Sequence, residues 1–121
     1  MWMILGSLSG ALAVAAGAFG AHALNERLDP KALELWDTGS RYLMYSALAT
    51  ILAAIALAEP LQSGVRSAAW PPAALCVGGW IFAGTLFVMA LGGPRWLGAV
   101  TPLGGLSLIL GFVLLAWRAS S

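Results

Sequence analysis

The sequence predicts an all-α membrane protein, an antiparallel four-transmembrane-helix bundle in a single domain spanning residues 1–121. First, 60% of the residues are hydrophobic and only 9% are charged, whereas soluble domains carry about 25% charged residues. Second, four apolar runs approach the roughly 20 residues that a helix needs to cross about 30 Å of hydrocarbon. Third, most of the tryptophans fall at the ends of these runs, and tryptophan prefers the membrane–water interface.

The four predicted spans follow one another with little intervening chain. They cover residues 2–21, 42–58, 70–91 and 97–117. The connections over 59–69 and 92–96 are short, and short connections make antiparallel neighbours. Pro102 is interpreted as a proline of the first helical turn, where no hydrogen bond is lost; a kink that shapes a cavity is the alternative.

Small residues recur along the first two predicted helices. The first helix carries Ser9, Ala13, Gly17 and Ala21 at intervals of four residues. The second carries Ser46, Thr50, Ala54 and Ala58 at the same spacing. Membrane helices use small residues to bring their backbones together, so we expect these two helices to pack closely.

Most of the ionisable side chains lie in the predicted connector between the first two spans. They are His22, Glu26, Arg27, Asp29, Lys31, Glu34, Asp37 and Arg41. Asp29-Pro30 is typical of a helix start. It predicts a short amphipathic interfacial helix that runs towards Asp37. We expect the side of this helix that carries Trp36 to lie on the membrane surface. Asp37 and Arg41 have the i,i+4 spacing of a helical ion pair if this helix continues through Gly39.

Three motifs resemble those of one family. They are Gly17-Ala18-Phe19-Gly20-Ala21-His22-Ala23-Leu24, Arg41-Tyr42-Leu43-Met44-Tyr45-Ser46-Ala47-Leu48 and Leu97-Gly98-Ala99-Val100-Thr101-Pro102-Leu103-Gly104-Gly105. Together they are similar to the bacterial membrane family called domain of unknown function 423, which has a eukaryotic transmembrane relative. The resemblance implies a four-helix protein of the bacterial cytoplasmic (inner) membrane without an assigned activity.

The motifs and the connector together supply the candidate contact residues. These are Gly17, Gly20, His22, Glu34, Asp37, Arg41, Tyr42, Tyr45, Thr101, Pro102, Gly104 and Gly105. The chain departs from the family pattern at Ser46, where the second motif usually has histidine. A two-histidine haem or metal site is therefore not expected.

The sequence favours a protein that acts by contact. It offers no nucleophile–base pair and no ligand cluster. We therefore expect that the chain is not an enzyme and that it binds no metal and no cofactor. With a net charge of +1, we expect no nucleic-acid partner. The leading hypothesis is a structural or accessory subunit whose partners are the lipid bilayer and other membrane subunits or a second copy. The alternative is a small ion channel or transporter of fluoride-channel-like size, with a pore lined by Phe82, Thr85 and Phe87.

The connector itself has two interpretations. It is either a docking surface or small polar site at the exit of the first helix, or a solvated segment that caps two membrane helices.

Overall fold

The computed structural model describes residues 1–57 and 70–120, and within these ranges all the regular secondary structure is helical. The elements are α1 (Trp2–His22), a short 3₁₀ helix (Leu24–Glu26), α2 (Pro30–Leu57), α3 (Trp70–Ala90) and α4 (Leu97–Ser120). The predicted polar connection at 59–69 lies outside the described residues.

Three of the helices are long and apolar enough to cross a membrane. These segments are Trp2–His22, Pro71–Ala90 and Leu97–Trp117, and they agree with three of the four predicted spans. The apolar part of α2, from residue 42 to 57, rises roughly 24 Å at about 1.5 Å per residue. That length is short of the roughly 30 Å hydrocarbon core.

The predicted interfacial helix and the predicted second span form one continuous helix, α2, so the expectation of a separate short helix was wrong. Its start was predicted correctly: the Asp29 carboxylate accepts a hydrogen bond from the Ala32 N–H at 2.8 Å, and Pro30 is the first helical residue. The helix continues because a change from polar to apolar composition is not a stop signal, and an isolated Gly39 is tolerated. The connector from α1 is therefore residues 23–29 and not residues 22–41.

Successive helices pack side by side: α1 on α2, α2 on α3, and α3 on α4. Gly6 lies against Ile51 and Gly20 against Trp36, so the contacts run in reverse order along α1 and α2. Among the described residues α1 and α4 make no substantial contact. The four helices therefore form an open row, in which α1 and α4 are the two edges.

The edge helices turn large apolar side chains outward. Leu8 and Leu12 on α1, and Leu106 and Leu110 on α4, are each more than half exposed. Such contiguous apolar surface is not found on the exterior of ordinary soluble monomers. It suits contact with lipid.

Small residues do make the close helix contacts, although the stripes differ from those predicted. On α1 the buried positions are Gly6, Ser9, Ala13 and Gly20, whereas Ala21 is exposed. Ser46 on α2 faces α3 and not α1, because its hydroxyl donates to the Leu75 carbonyl at 2.6 Å. Residue spacing identified the small positions but not the neighbour that each one faces.

A glycine turn joins α3 to α4. Gly92 has φ +98°, a left-handed conformation that L side chains avoid. The Gly93 N–H donates to the Val88 carbonyl at 2.8 Å, and the Gly92 N–H donates to the Met89 carbonyl at 3.1 Å. This Schellman pattern closes α3, and Pro94 follows it. The short connection predicted over 92–96 is confirmed.

The predicted position of Pro102, in the first turn of the fourth helix, was wrong. It lies inside α4, in the second turn, and not in the first turn of that helix. The helix nevertheless continues from Leu97 to Ser120.

Candidate functional site

Trp36 on α2 joins three helices at one end of the row. Its indole N–H donates to the Ala16 carbonyl of α1 at 2.7 Å. Its ring lies 4.5 Å from the Phe87 ring of α3 and 6.3 Å from the Phe19 ring of α1, centroid to centroid. The expectation that Trp36 rests on the membrane surface was therefore wrong, because the indole is inserted between α1 and α3.

Two glycines make room for this aromatic cluster. A Cβ on Gly20 would lie 2.5 Å from Cδ1 of Trp36, and a Cβ on Gly39 would lie 2.9 Å from Cε1 of Phe87. Gly20 belongs to the first motif, so its role in the fold is to admit the indole. The sequence pattern did not reveal this role of Trp36, because the residue stands in a polar segment that resembled a connector.

A cavity of about 170 Å³ lies beside the Trp36 cluster, between the end of α1 and the start of α2. It is lined by Gly17, Gly20, Ala21, Asn25, Leu33, Trp36 and Asp37. The candidate residues Gly17, Gly20 and Asp37 thus come together at one place. Asn25 was missed, since nothing in its sequence context distinguishes it from other loop residues.

An ion pair continues from this cavity along α2. The Arg41 Nε lies 3.0 Å from Oδ2 of Asp37, with the two side chains 67% and 58% exposed. This pair confirms the predicted i,i+4 interaction. The contact at Nε uses one of the five N–H donors that a guanidinium offers, and the Arg41 side chain is largely exposed.

A second concavity opens one turn further along α2. This groove, with a volume of about 320 Å³, lies between α2 and α4. Its lining is Tyr42, Tyr45, Gly105, Leu108, Ile109 and Phe112. The rings of Tyr42 and Tyr45 meet edge to face at 5.3 Å, and Tyr42 packs on Phe82 of α3 at 4.7 Å. Residues of the second and third motifs are thereby brought together.

Other candidate residues of the third motif hold α4 against α3. The hydroxyl oxygens of Thr101 and Thr85 are 2.6 Å apart and buried. Gly104 faces the backbone of Gly78 and Phe82. These two candidates therefore have structural contacts, and neither lines the cavity or the groove.

Three further candidates line neither concavity. His22, Glu34 and Pro102 are all exposed. His22 is the last residue of α1, and Glu34 lies in the first turns of α2.

The position of Ser46 bears on the histidine that the family pattern usually has there. Ser46 is 1% exposed, and its side chain fills the space left by the missing Cβ of Gly79. Gly20, two residues before His22, lies against Trp36. Ser46 lies ten residues, or about 15 Å, beyond Trp36 along α2. His22 and position 46 are thus far apart along the helix row.

The apolar spans, their small-residue contacts and the polar end of α2 define a small helical membrane protein. Comparison with known families assigns it more narrowly. The chain belongs to the family described as "Protein of unknown function (DUF423)", whose model matches residues 16–105. The resemblance noted in the sequence is thereby confirmed.

Its relatives are named as membrane proteins in bacteria and in a yeast. The UPF0382 membrane protein YwdK of Bacillus subtilis is 37% identical, covering 98% of this chain and 95% of the relative. A UPF0382 membrane protein of Staphylococcus saprophyticus is 38% identical, covering 95% and 92%. A UPF0382 membrane protein of Schizosaccharomyces pombe is 35% identical, covering 88% and 90%. No solved structure matches the chain significantly.

Proposed function

We propose that the chain is an antiparallel four-transmembrane-helix protein of the bacterial cytoplasmic membrane. It acts by contact, as an accessory subunit beside another membrane protein. The antiparallel topology is supported by the reversed order of contacts between successive helices, as between Gly6 with Ile51 and Gly20 with Trp36. The fourth crossing is α2, whose apolar part is flanked by α1 on one side and α3 on the other.

One observation supports the contact function. The first turns of α2, residues 30–36, form a polar surface held in place by the neighbouring helices, which we call the platform. Trp36 fixes these turns to α1 and α3 through its hydrogen bond to Ala16 and its contact with Phe87. Lys31 and Glu34 are exposed on the same turns. A polar segment held in this way binds a partner without first losing conformational freedom, and that loss weakens binding by flexible segments.

Glu34 offers the sharpest test. It is exposed on the platform and has no role in the aromatic cluster. Glu34→Lys should reduce recovery of the partner that co-purifies with the wild-type protein after gentle detergent extraction. Glu26→Lys is the matched control, since it makes the same charge reversal in the 3₁₀ helix, outside α2. Circular dichroism and the thermal unfolding midpoint should be unchanged in both variants.

The contact hypothesis fails if Glu34→Lys and Glu26→Lys recover the same partner equally well. It also fails if the wild-type protein recovers only further copies of itself. Either result would leave the platform as a solvated helix start.

The channel alternative gains no support from the described contacts. Thr85 faces Thr101 on α4, Phe87 faces Trp36 on α2, and Phe82 packs on Tyr42. These side chains are directed towards different neighbours, whereas an ion pore needs polar groups aligned along its length. Liposomes with the purified protein should stay impermeable to fluoride and other small ions. Reproducible flux that Thr85→Val abolishes would favour the channel instead.

A further inference from the structure

The exposed face of α2 changes its chemistry in a fixed order. Asp37, Arg41, Tyr45 and Leu48 follow one another at intervals of three or four residues and all are exposed. Residues at this spacing lie on one face of a helix. Along that face, a carboxylate is followed by a guanidinium, then by a phenol, then by an aliphatic side chain.

From Arg41 inward, this face lies beside the membrane-spanning segments of α1 and α3. Tyr42 packs on Phe82, which precedes the end of α3 at Ala90 by eight residues, or about 12 Å. A Cβ on Gly17 of α1 would lie 4.0 Å from Cβ of Ser40, next to Arg41. Gly17 is five residues, or about 8 Å, from the end of α1.

Charged side chains at such depth usually have partners and mark binding sites. Here the ion pair is about 60% exposed, so each charge still has room for a ligand. Asp37 also lines the cavity on the side of α1, while Tyr42 and Tyr45 line the apolar groove on the side of α4. Along α2 the ion pair therefore lies between a cavity that holds the Asp37 carboxylate and an apolar groove.

We propose that this face binds one phospholipid with a primary-amine head group, a zwitterionic lipid of the phosphatidylethanolamine class. The ammonium lies against Asp37 at the cavity, and the phosphate accepts hydrogen bonds from the terminal nitrogens of Arg41. The glycerol ester region lies beside the hydroxyls of Tyr42 and Tyr45. One acyl chain fills the groove along Leu108 and Phe112.

The order of charges selects this lipid class. From the start of α2 towards the centre of the bilayer, the protein presents the negative Asp37 and then the positive Arg41. From the membrane surface inward, the lipid presents its positive ammonium and then its negative phosphate. An anionic lipid adds a second negative group beside Arg41 and brings no cation to Asp37, whose only cation is then Arg41. A choline head group carries the positive charge but has no N–H to donate to the carboxylate, which accepts hydrogen bonds. The proposal goes beyond the contact function and does not depend on Glu34.

The test measures binding of synthetic lipids to the purified full-length protein by native mass spectrometry. Phosphatidylethanolamine, phosphatidylcholine and phosphatidylglycerol are compared with identical acyl chains. We expect the ethanolamine lipid to bind about tenfold more tightly than the other two, a difference of about 1.4 kcal/mol. Soluble glycerophosphoethanolamine, which has the same head group without acyl chains, should bind far more weakly.

Three variants separate the contributions of the site. Asp37→Asn should remove the preference for ethanolamine, and Arg41→Gln should weaken binding of all three lipids. Gly105→Leu should weaken them as well by filling the groove. Arg95→Gln, a loss of one arginine in the α3–α4 turn, is the matched control and should change nothing.

The double substitution Asp37→Arg with Arg41→Asp distinguishes lipid binding from a structural ion pair. It keeps the pair but reverses its order, so the unfolding midpoint should be retained while the ethanolamine preference is lost. Equal binding of all three lipids, a preference for phosphatidylglycerol, or a preference that survives the reversal would overturn the proposal. Binding of the soluble head group as tight as that of the lipid would also overturn it.

Discussion

At the scale of single residues, Gly104 and Gly105 are adjacent in the sequence but have different surroundings. A Cβ on Gly104 would lie 2.5 Å from the Phe82 nitrogen and 2.8 Å from the Gly78 oxygen. Both are backbone atoms, so α3 and α4 would have to separate. A Cβ on Gly105 would meet only the Phe82 ring, 3.7 Å away, which is an ordinary contact.

We therefore predict that Gly104→Ala destabilises the protein by about 1–3 kcal/mol, the usual cost of overpacking. Gly105→Ala should be nearly neutral and serves as its control. The thermal unfolding midpoint in detergent measures both. Equal midpoints for the two variants would contradict the close contact at Gly104.

The spacing of small residues did not predict which of them lie closest to a neighbouring helix. Gly17 was expected to pack closely on α2 as one of the four small residues Ser9, Ala13, Gly17 and Ala21. Its nearest neighbour across the interface would be 4.0 Å from a Cβ, while at Gly6 and Gly20 that distance is below 3 Å. The difference depends on the rotation of each helix about its axis. A repeat of four residues does not fix that rotation, because neighbouring positions share the same spacing.

At the scale of elements, the Trp36 side chain determines how the polar turns of α2 are held. Trp36→Ala removes the hydrogen bond to Ala16 and the ring contact with Phe87. It should destabilise the protein by about 3 kcal/mol, as truncation of a packed tryptophan does. Amide hydrogen exchange over 30–36 should accelerate, because exchange reports local opening.

Trp96→Ala is the control for this prediction, since the Trp96 side chain is 66% exposed. It should leave exchange over 30–36 unchanged. If Trp36→Ala also leaves it unchanged, the polar turns are held by something other than the indole.

The start of α2 was predictable from Asp29-Pro30, and so was the ion pair between Asp37 and Arg41. The continuity of α2 could not be predicted, because its polar first turns and its apolar later turns suggest different environments. The cavity at Asp37 and the groove at Tyr42 were also beyond the sequence. Each is formed by residues from different helices, and such proximity depends on tertiary packing.

At the scale of the whole molecule, the proposed topology brings the two chain ends to one side of the membrane. Met3→Cys and Ser121→Cys, each in a Cys76→Ser background, should react with an impermeant thiol reagent from the same side. Glu26→Cys should react from the opposite side and is the control. Reaction of Met3→Cys and Ser121→Cys from opposite sides would contradict four crossings.

Which side carries the ends is weakly determined. In the proposed topology, one side would carry Arg27, Lys31, Arg41 and Arg95, and the other would carry Arg66, Arg118 and the N-terminal amine. The positive-inside rule counts such basic residues, and they differ by one charge. We expect cytoplasmic connections by this small margin.

The open row of helices also bears on how the chain assembles during synthesis. Each helix packs chiefly on the one made just before it, so no helix waits for a distant segment in order to find its main neighbour. Contacts close in sequence form quickly because little loop entropy is lost. The bond of 2.8 Å from the Trp80 indole nitrogen to the Ser9 hydroxyl is an exception, since it joins α3 to α1. We therefore expect nascent α1 and α2 to pair first, and α3 to join them afterwards through its contacts with both.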